Sequence, residues 1–207
     1  MSSQEGIVYV VEDDASFRRS LERLLQASGW RVKTFGTAAK FLNQPSLEHP
    51  SCLLLDVRLP DIDGMSLPER LEQRNLRLPI VFMTGHGNIP MGVEAMKKGA
   101  VDFLPKPFES NELFAALREA LARDVDHQNE LSRERRALSL LDSLTPREME
   151  VMRGIIAGKL NKQIAGKMGI SERTVKVHRS RVMQKTRVRS VADLVRLAQI
   201  AGVSPWK

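Results

Sequence analysis

The sequence lacks the features that define several protein classes. Its 207 residues include one cysteine, Cys52, so no intrachain disulfide bond can form. No apolar run approaches the ~20 residues of a membrane-spanning helix, and the N-terminal residues have neither the basic nor the apolar region of a signal peptide. We therefore expect a cytoplasmic protein in which Cys52 packs inside a core and takes no part in redox chemistry.

Signatures of nucleotide binding are also missing. The glycines that could form a phosphate-binding loop are Gly85, Gly87, Gly92 and Gly99. Neither G-x-x-x-x-G-K-[ST] nor a G-x-G-x-x-G between a strand and a helix occurs among them. The sequence therefore argues against a nucleotide-binding protein.

The formal net charge of +7 comes from the C-terminal third of the chain. Residues 1–124 carry 15 Lys and Arg against 17 Asp and Glu, and residues 125–143 carry 3 against 4. Residues 144–207 carry 14 against 4. A polyanion is the expected partner of this basic segment, and a solvated basic surface is the alternative.

Five short apolar runs alternate with segments of helical periodicity. The runs favour strands and lie at Ile7–Val11, Val32–Phe35, Cys52–Leu55, Ile80–Met83 and Val101–Leu104. Their continuous apolar character indicates strands that are buried on both faces, and repeated strand-helix-strand units imply a parallel sheet with right-handed crossovers. We therefore predict an α/β doubly wound, five-stranded parallel sheet in the N-terminal part.

The carboxyl ends of the predicted strands carry a set of charged and polar residues. Glu12 and Asp13 follow the first strand, and Asp56 follows the third. Thr84 follows the fourth strand and Lys106 the fifth. Ligands of such sheets bind outside the carboxyl ends of the strands, so these residues are expected to share one pocket. Crowded carboxylates bind a proton or recruit a divalent cation, and an oxygen-only ligand set favours Mg²⁺.

A pocket of this composition suits phosphoryl transfer. With Mg²⁺ offsetting the negative charge, Asp56 can attack a phosphoryl group in line and form an aspartyl phosphate. The ammonium of Lys106 and the hydroxyl of Thr84 can each hold a phosphoryl oxygen. A phosphatase of the haloacid dehalogenase type also uses an aspartate at a strand end, but it has a second acid two residues later, where this chain has Arg58.

Four of the strands run into distinctive segments, V-Y-V-V-E-D-D, L-L-L-D-V-R-L-P-D-I-D-G, V-F-M-T-G-H-G and D-F-L-P-K-P-F. Their order and spacing resemble the receiver domain of two-component response regulators over residues 5–123. The resemblance implies that Asp56 is the phosphoacceptor and that Glu12 and Asp13 are the acidic pair of a metal site. It also implies that the backbone carbonyl of Arg58 is a metal ligand.

The same resemblance assigns the other polar groups of the pocket. Lys106 is the implied phosphate contact, and its peptide bond to Pro107 is typically cis in the family. Thr84 and Phe103 occupy the switch positions of the family, where the hydroxyl follows the phosphoryl group and the ring turns inward. Glu12 stands where many receivers have aspartate, and its extra methylene favours a water-mediated metal contact.

Residues 123–143 contain no glycine or proline and are rich in charged residues. This composition indicates either an extension of the helix predicted at Leu113–Leu121 or a separate helical linker. Leu131, Leu138 and Leu141 form an apolar stripe that is too sparse for a coiled coil, so a helical spacer is predicted, with partial self-pairing as the alternative.

The basic segment has the start signals of several short helices. Thr145, Pro146 and Glu148 suit the N-cap, N1 and N3 positions of a first helix and complete a capping box. Three more helices are predicted: one over about Lys162–Met168, one that Ser171 caps and that runs to about Lys185, and one that Ser190 caps and that runs to Ala201. Four short helices around one small core are therefore expected.

The third of these helices has one apolar and one basic face. Val175, His178, Val182 and Thr186 share the inward face. The outward residues are Lys176, Val177, Arg179, Ser180, Arg181, Gln184 and Lys185. A basic, exposed helix that follows a helix and a tight turn suits entry into the major groove of DNA.

The segments L-T-P-R-E, N-K-Q-I-A and I-S-E-R-T-V-K-V-H resemble the helix-turn-helix of LuxR-type regulators over residues 142–203. Together with the receiver they resemble the NarL/FixJ class of response regulators, and the G-H-G loop and the long helical linker favour the FixJ branch. The implied DNA contacts are Lys176 and Val177 on bases, Arg179, Arg181 and Lys185 on phosphates, and Ser180 at a position where relatives can carry a base-contacting cation.

The two resemblances predict a receiver domain at 1–123, a helical linker at 124–141 and a DNA-binding domain at 142–207. The predicted function is a phosphorylation-activated transcriptional regulator, not an enzyme. Its expected partners are a histidine kinase, promoter DNA, RNA polymerase and, on phosphorylation, a second copy of the chain. Two alternatives stay open: a Mg²⁺-dependent aspartyl-phosphate phosphatase fused to a DNA-binding module, and a phosphorylation-independent DNA-binding protein with a vestigial receiver.

Overall fold

A computed structural model describes residues 6–74, 76–85 and 89–206. Residues 86 and 87 of the G-H-G loop therefore lie outside the described residues. The chain divides into two compact units, Met1–Gln128 and Asn129–Lys207, and the division falls inside the predicted linker. Each unit has its own hydrophobic core.

The first unit contains a five-stranded, fully parallel sheet. Its strands are β1 (Ile7–Val11), β2 (Arg31–Phe35), β3 (Ser51–Asp56), β4 (Ile80–Thr84) and β5 (Asp102–Pro105). They are arranged in the order β2-β1-β3-β4-β5. The doubly wound sheet predicted from the apolar runs is thereby confirmed. All residues of β1, β3 and β4 are buried, which explains why these strands read as unbroken apolar runs.

Helices cover both faces of the sheet. They are α1 (Ala15–Ala27), α2 (Ala38–Leu42), α3 (Leu67–Gln73), α4 (Ile89–Lys97) and α5 (Ser110–Asp142), and a 3₁₀ turn at Gly64–Ser66 precedes α3. One core packs side chains of α2, α3 and α4 against one face, and the other packs α1 and α5 against the opposite face. The strand-helix alternation implied a helix between β2 and β3, but no residues were assigned to it; it is the five-residue α2.

The predicted linker is helical throughout. Helix α5 is continuous over 33 residues and includes Leu131, Leu138 and Leu141. Leu141 is 4% exposed and belongs to the core of the second unit, whereas Leu138 is exposed. None of the helices among the described residues combines the length and the apolarity that a membrane crossing requires.

Four further helices follow α5 in the second unit. They are α6 (Pro146–Ile156), α7 (Asn161–Met168), α8 (Glu172–Thr186) and α9 (Val191–Ile200). The predicted capping box is present, since Thr145 Oγ1 accepts from the amide of Glu148 and a Glu148 carboxylate oxygen accepts from the amide of Thr145. Ser171 and Ser190 cap α8 and α9 as predicted. Thr186, predicted on the inward face, is buried, and its hydroxyl donates to the carbonyl of Val182 at 2.6 Å.

Candidate functional site

The structure brings the three predicted acidic residues together at the carboxyl edge of the sheet. Val11 and Leu55 are register partners, so the residues that follow them lie side by side. Glu12 and Asp56 are 1% and 6% exposed, whereas Asp13 is exposed. One carboxylate oxygen of each residue lies within 4.8 Å of the others. The arrangement is a candidate cation site made only of oxygen ligands.

Lys106 extends from the end of β5 into this acidic group. Its Nζ lies 2.6 Å from Glu12 Oε2 and 2.5 Å from Asp56 Oδ2, and its side chain is 18% exposed. The backbone amide of Lys106 donates to the carbonyl of Thr84 at 2.7 Å, which ties the residue to β4. The predicted cis peptide bond to Pro107 is present.

Burial and charge set the protonation of this group. Burial raises the pKa of Glu12 to about 7; Lys106 opposes this shift and the Asp56 carboxylate adds to it. Burial acts against the charge of Lys106, but hydrogen bonds to Asp56 and Glu12 outweigh it and raise the Lys106 pKa above its ordinary value. The pocket therefore contains three carboxyl groups and the ammonium of Lys106. This excess of acidic groups favours the binding of a further cation.

The backbone around Asp56 is closely packed. Asp56 Oδ1 accepts a hydrogen bond from the amide of Arg58 at 3.0 Å. A Cβ atom at Gly64 would lie 2.3 Å from the carbonyl oxygen of Asp56, so only glycine fits at this position. Asp14, in contrast, is the N-cap of α1 and accepts from the amides of Ser16 and Phe17.

Two residues of the pocket were missed by the sequence interpretation. The ring of Phe17 lies under Lys106, with Nζ 4.3 Å from the ring centroid. Arg18 donates to the carbonyl oxygens of Glu12 and Asp13 at 2.6 and 3.1 Å. Both residues are in the first turns of α1, and no spacing rule relates this part of the chain to Lys106, which is about 90 residues away.

One of the two predicted switch residues, Phe103, lies beside an exposed apolar surface. Thr84 is 1% exposed at the end of β4. The ring of Phe103 is half-buried, and a Cβ atom at Gly92 would lie 3.3 Å from it. The neighbouring exposed apolar residues of α4 are Ile89, Val93 and Met96, with exposed fractions of 85%, 48% and 48%. We call these three residues the α4 patch.

Helix α8 presents its basic residues as the helical period predicts. Val175, Val182 and Thr186 are buried, whereas the exposed residues include Lys176, Val177, Ser180 and Arg181. The guanidinium of Arg179 is half-buried, with Nη1 3.5 Å from Asn161 Oδ1. The outward face of α8 therefore combines exposed cations with one exposed valine.

Lys185 differs from the other predicted DNA contacts. Its Nζ lies 2.6 Å from Glu148 Oε2 and 3.0 Å from the carbonyl oxygen of Ser143. Burial acts to raise the pKa of Glu148, but Lys185 and Thr145 outweigh it and lower the pKa to about 2. Contact between Lys185 and a DNA phosphate stays a prediction, and the phosphate would share the ammonium with this internal ion pair.

Comparison with known families assigns each unit. The family described as the response regulator receiver domain matches residues 8–118. The family described as bacterial regulatory proteins of the luxR family matches residues 142–198. Together the two matches cover the acidic pocket and the helix-turn-helix.

Similar proteins combine both units in the same order. Nodulation protein W of Bradyrhizobium diazoefficiens is 45% identical over 203 residues, which are 98% of this chain and 89% of that protein. The transcriptional regulatory protein FixJ of the same organism is 43% identical over 200 residues, 96% of this chain and 97% of that protein. The solved structure of response regulator StyR is 45% identical with a TM-score of 0.83 and covers 94% of this chain and 98% of that chain.

These matches give no support to the phosphatase alternative. They agree with the receiver and LuxR-type resemblances stated from the sequence, and two of the three similar proteins, FixJ and StyR, are named as regulators, which is a non-enzymatic role. The chain therefore belongs to the response regulators, as a transcriptional regulator with a receiver domain and a LuxR-type DNA-binding domain.

Proposed function

We propose that Asp56 accepts a phosphoryl group from a histidine kinase and that phosphorylation promotes dimerisation and promoter binding through α8. The observation that carries this proposal is the contact of Lys106 with both Glu12 and Asp56, at 2.6 and 2.5 Å. This contact supports the proposal because, with Asp13 nearby, one cation and three carboxyl groups lie at the edge of the sheet where ligands bind.

The residues of the pocket fit a Mg²⁺ ion. The donor set is Glu12, Asp13, Asp56 and the backbone carbonyl of Arg58, all of them oxygen ligands. Burial raises the pKa of Glu12 to about 7, and a cation bound beside it would favour its charged form. When bound, Mg²⁺ supplies charge that offsets the repulsion between these carboxylates and an incoming phosphoryl group.

The side chains of the pocket have distinct tasks in the proposed transfer. A carboxylate oxygen of Asp56 forms a bond to phosphorus as the bond from phosphorus to the donor imidazole breaks, and the leaving imidazole takes up a proton. Lys106 holds a phosphoryl oxygen by a charge-assisted hydrogen bond. The hydroxyl of Thr84 donates to another phosphoryl oxygen.

The proposed switch couples the pocket to the α4 patch. Thr84 moves toward the phosphoryl group, and the ring of Phe103 turns inward. The close approach of Phe103 to Gly92 supports this coupling, because a change of the ring position must alter its packing on α4. The α4 patch exposes apolar surface next to this ring and is the proposed dimer contact.

Dimerisation joins two basic helices on one promoter. Lys176 and Val177 are the proposed base contacts, Arg179 and Arg181 are the proposed phosphate contacts, and Ser180 lies between them. Two linked half-site contacts raise the apparent affinity by about 100-fold or more over one. RNA polymerase is the proposed further partner of the bound dimer.

The test compares wild-type protein with the Asp56→Asn variant, each treated with acetyl phosphate and Mg²⁺. We expect the wild type to gain one phosphoryl group that hydroxylamine and alkali release, and to protect promoter DNA at about 100-fold lower concentration after treatment. The Asp56→Asn variant should take up no phosphoryl group, and its protection of promoter DNA should be the same before and after treatment. Phosphoryl uptake by Asp56→Asn would show that another residue is the acceptor, and equal footprints with and without phosphorylation would refute the coupling.

A further inference from the structure

We propose that Phe17 is a positioning residue for Lys106, whose ring holds the ammonium at the acidic pocket while its carboxylate partners change. The inference rests on the proposed role of Lys106 as the phosphate contact. Lys106 Nζ lies 4.3 Å from the centroid of the Phe17 ring, well inside the ~6 Å range of cation–π attraction. The lysine side chain is 18% exposed, and partial removal from water strengthens this attraction.

Phe17 is held through its backbone and through its ring. Its backbone amide donates to Asp14 Oδ1 at 2.9 Å, in the N-terminal cap of α1 directly after the acidic pair. Its ring meets the ring of Phe108 edge-on, with centroids 6.2 Å apart and planes at 73°. Phe108 lies two residues after Lys106, so the aromatic pair connects the start of α1 with the segment that carries the lysine. The half-buried ring therefore packs against the same segment that carries Lys106.

An uncharged partner can hold the ammonium of Lys106 in place throughout the proposed reaction, because both charged partners, Glu12 and Asp56, take part in that reaction. Asp56 loses its full negative charge when it becomes an acyl phosphate, and Glu12 belongs to the proposed metal site. The ammonium has three donors on a flexible four-carbon stem, so without another contact it has many positions to occupy. An aromatic face attracts the cation but does not compete for the hydrogen bonds that a phosphoryl oxygen requires.

The first experiment measures the rate of phosphoryl uptake from acetyl phosphate with saturating Mg²⁺ in the full chain. Phe17→Leu removes the aromatic face and keeps apolar bulk, whereas Phe17→Tyr keeps the face. We expect uptake to be about threefold to tenfold slower in Phe17→Leu and close to wild type in Phe17→Tyr.

Phe114→Leu is the matched control for this rate. Phe114 is a half-buried phenylalanine packed on the same core, with its ring 6.1 Å from that of Trp30. It should lose comparable stability without a change in the uptake rate. Equal rates for Phe17→Leu and Phe17→Tyr, or an equal slowing in Phe114→Leu, would overturn the proposal.

The second experiment needs neither Mg²⁺ nor a phosphoryl donor. Protons next to Nζ of Lys106 lie over an aromatic face, so their NMR signals should be shifted upfield in wild type and Phe17→Tyr and should return to ordinary lysine positions in Phe17→Leu. An unshifted wild-type signal would refute the contact even if Phe17→Leu does not fold. Failure of the proposed function gives a different result. In that case Asp56→Asn still takes up a phosphoryl group, and the upfield shift of the Lys106 signals is still present.

Discussion

The acidic pocket and the outward face of α8 are built in opposite ways. The pocket joins Glu12, Asp56 and Lys106, which are far apart in the chain, and most of its charge is buried and paired. The face of α8 uses neighbouring residues of a single helix, and Lys176 and Arg181 are exposed. The pocket therefore depends on tertiary packing, whereas the helix face depends mainly on helical period.

This difference decides how each region responds to substitution. In the pocket, a small shift of the backbone changes distances between buried charges, whose interaction is strong where water is excluded. On α8, each exposed cation contributes a modest, salt-screened attraction to a polyanion. Large effects are expected from packing changes near Asp56 and small, nearly additive effects from charge changes on α8.

Gly64 provides the largest expected effect. In Gly64→Ala the new Cβ would meet the Asp56 carbonyl at 2.3 Å, so we expect the free energy of unfolding of the first unit to fall by ~3 kcal/mol. Gly166→Ala is the control, because a Cβ added there would meet no atom within 4 Å outside the adjoining backbone of its own helix, and alanine favours a helix interior by up to ~1 kcal/mol. Amide hydrogen exchange resolved by unit measures both changes. Similar losses for the two variants would contradict the close packing at Gly64.

Substitution of Glu148 tests whether a buried ion pair also stabilises the second unit. Its pKa is lowered from 4.5 to about 2, so its stabilising effect is complete above pH 4.5 and is lost as the pH falls toward 2. We expect Glu148→Gln to lower the free energy of unfolding of the second unit by ~2 kcal/mol at pH 7, and the difference from wild type to shrink between pH 4.5 and 2. Urea denaturation at a series of pH values gives this difference.

Glu150→Gln is the matched control for that prediction. Glu150 is an exposed acid of the same helix, 46% exposed and paired with Arg147. Its loss should change the free energy of unfolding by less than ~0.5 kcal/mol. A difference between wild type and Glu148→Gln that is independent of pH would show that the ion pair with Lys185 does not cause the shift.

Arg181 gives the smallest expected effect. If its guanidinium contacts one phosphate, Arg181→Gln should reduce the slope of log affinity against log salt by about 0.9 and weaken binding to all DNA sequences alike. Arg147→Gln is the control, because Arg147 is an exposed cation on α6 that is already paired with Glu150. A sequence-dependent loss in Arg181→Gln would instead indicate a base contact. Titrations at several salt concentrations distinguish these results.

Much of the fold was predictable because its signals are local. The buried strands appear as apolar runs, and the two residues of the capping box, Thr145 and Glu148, lie within four consecutive positions of the chain. The position of the short α2 was not predicted, because five residues give too little helical periodicity to recognise. Two contacts were also not predicted. Phe17 of α1 meets Lys106 at the end of β5, and Lys185 of α8 pairs with Glu148 of α6. No local sequence pattern relates the members of either pair.

The amino-acid sequence by itself determined the doubly wound sheet, the four C-terminal helices and the residue types that end each strand, because period and capping act over a few residues. Only the tertiary structure decided which of those residues touch. It put Lys106 between Glu12 and Asp56, set it over Phe17, and paired Lys185 with Glu148. The physical reason is that distances between distant segments follow from how the cores pack, which no short stretch of sequence contains.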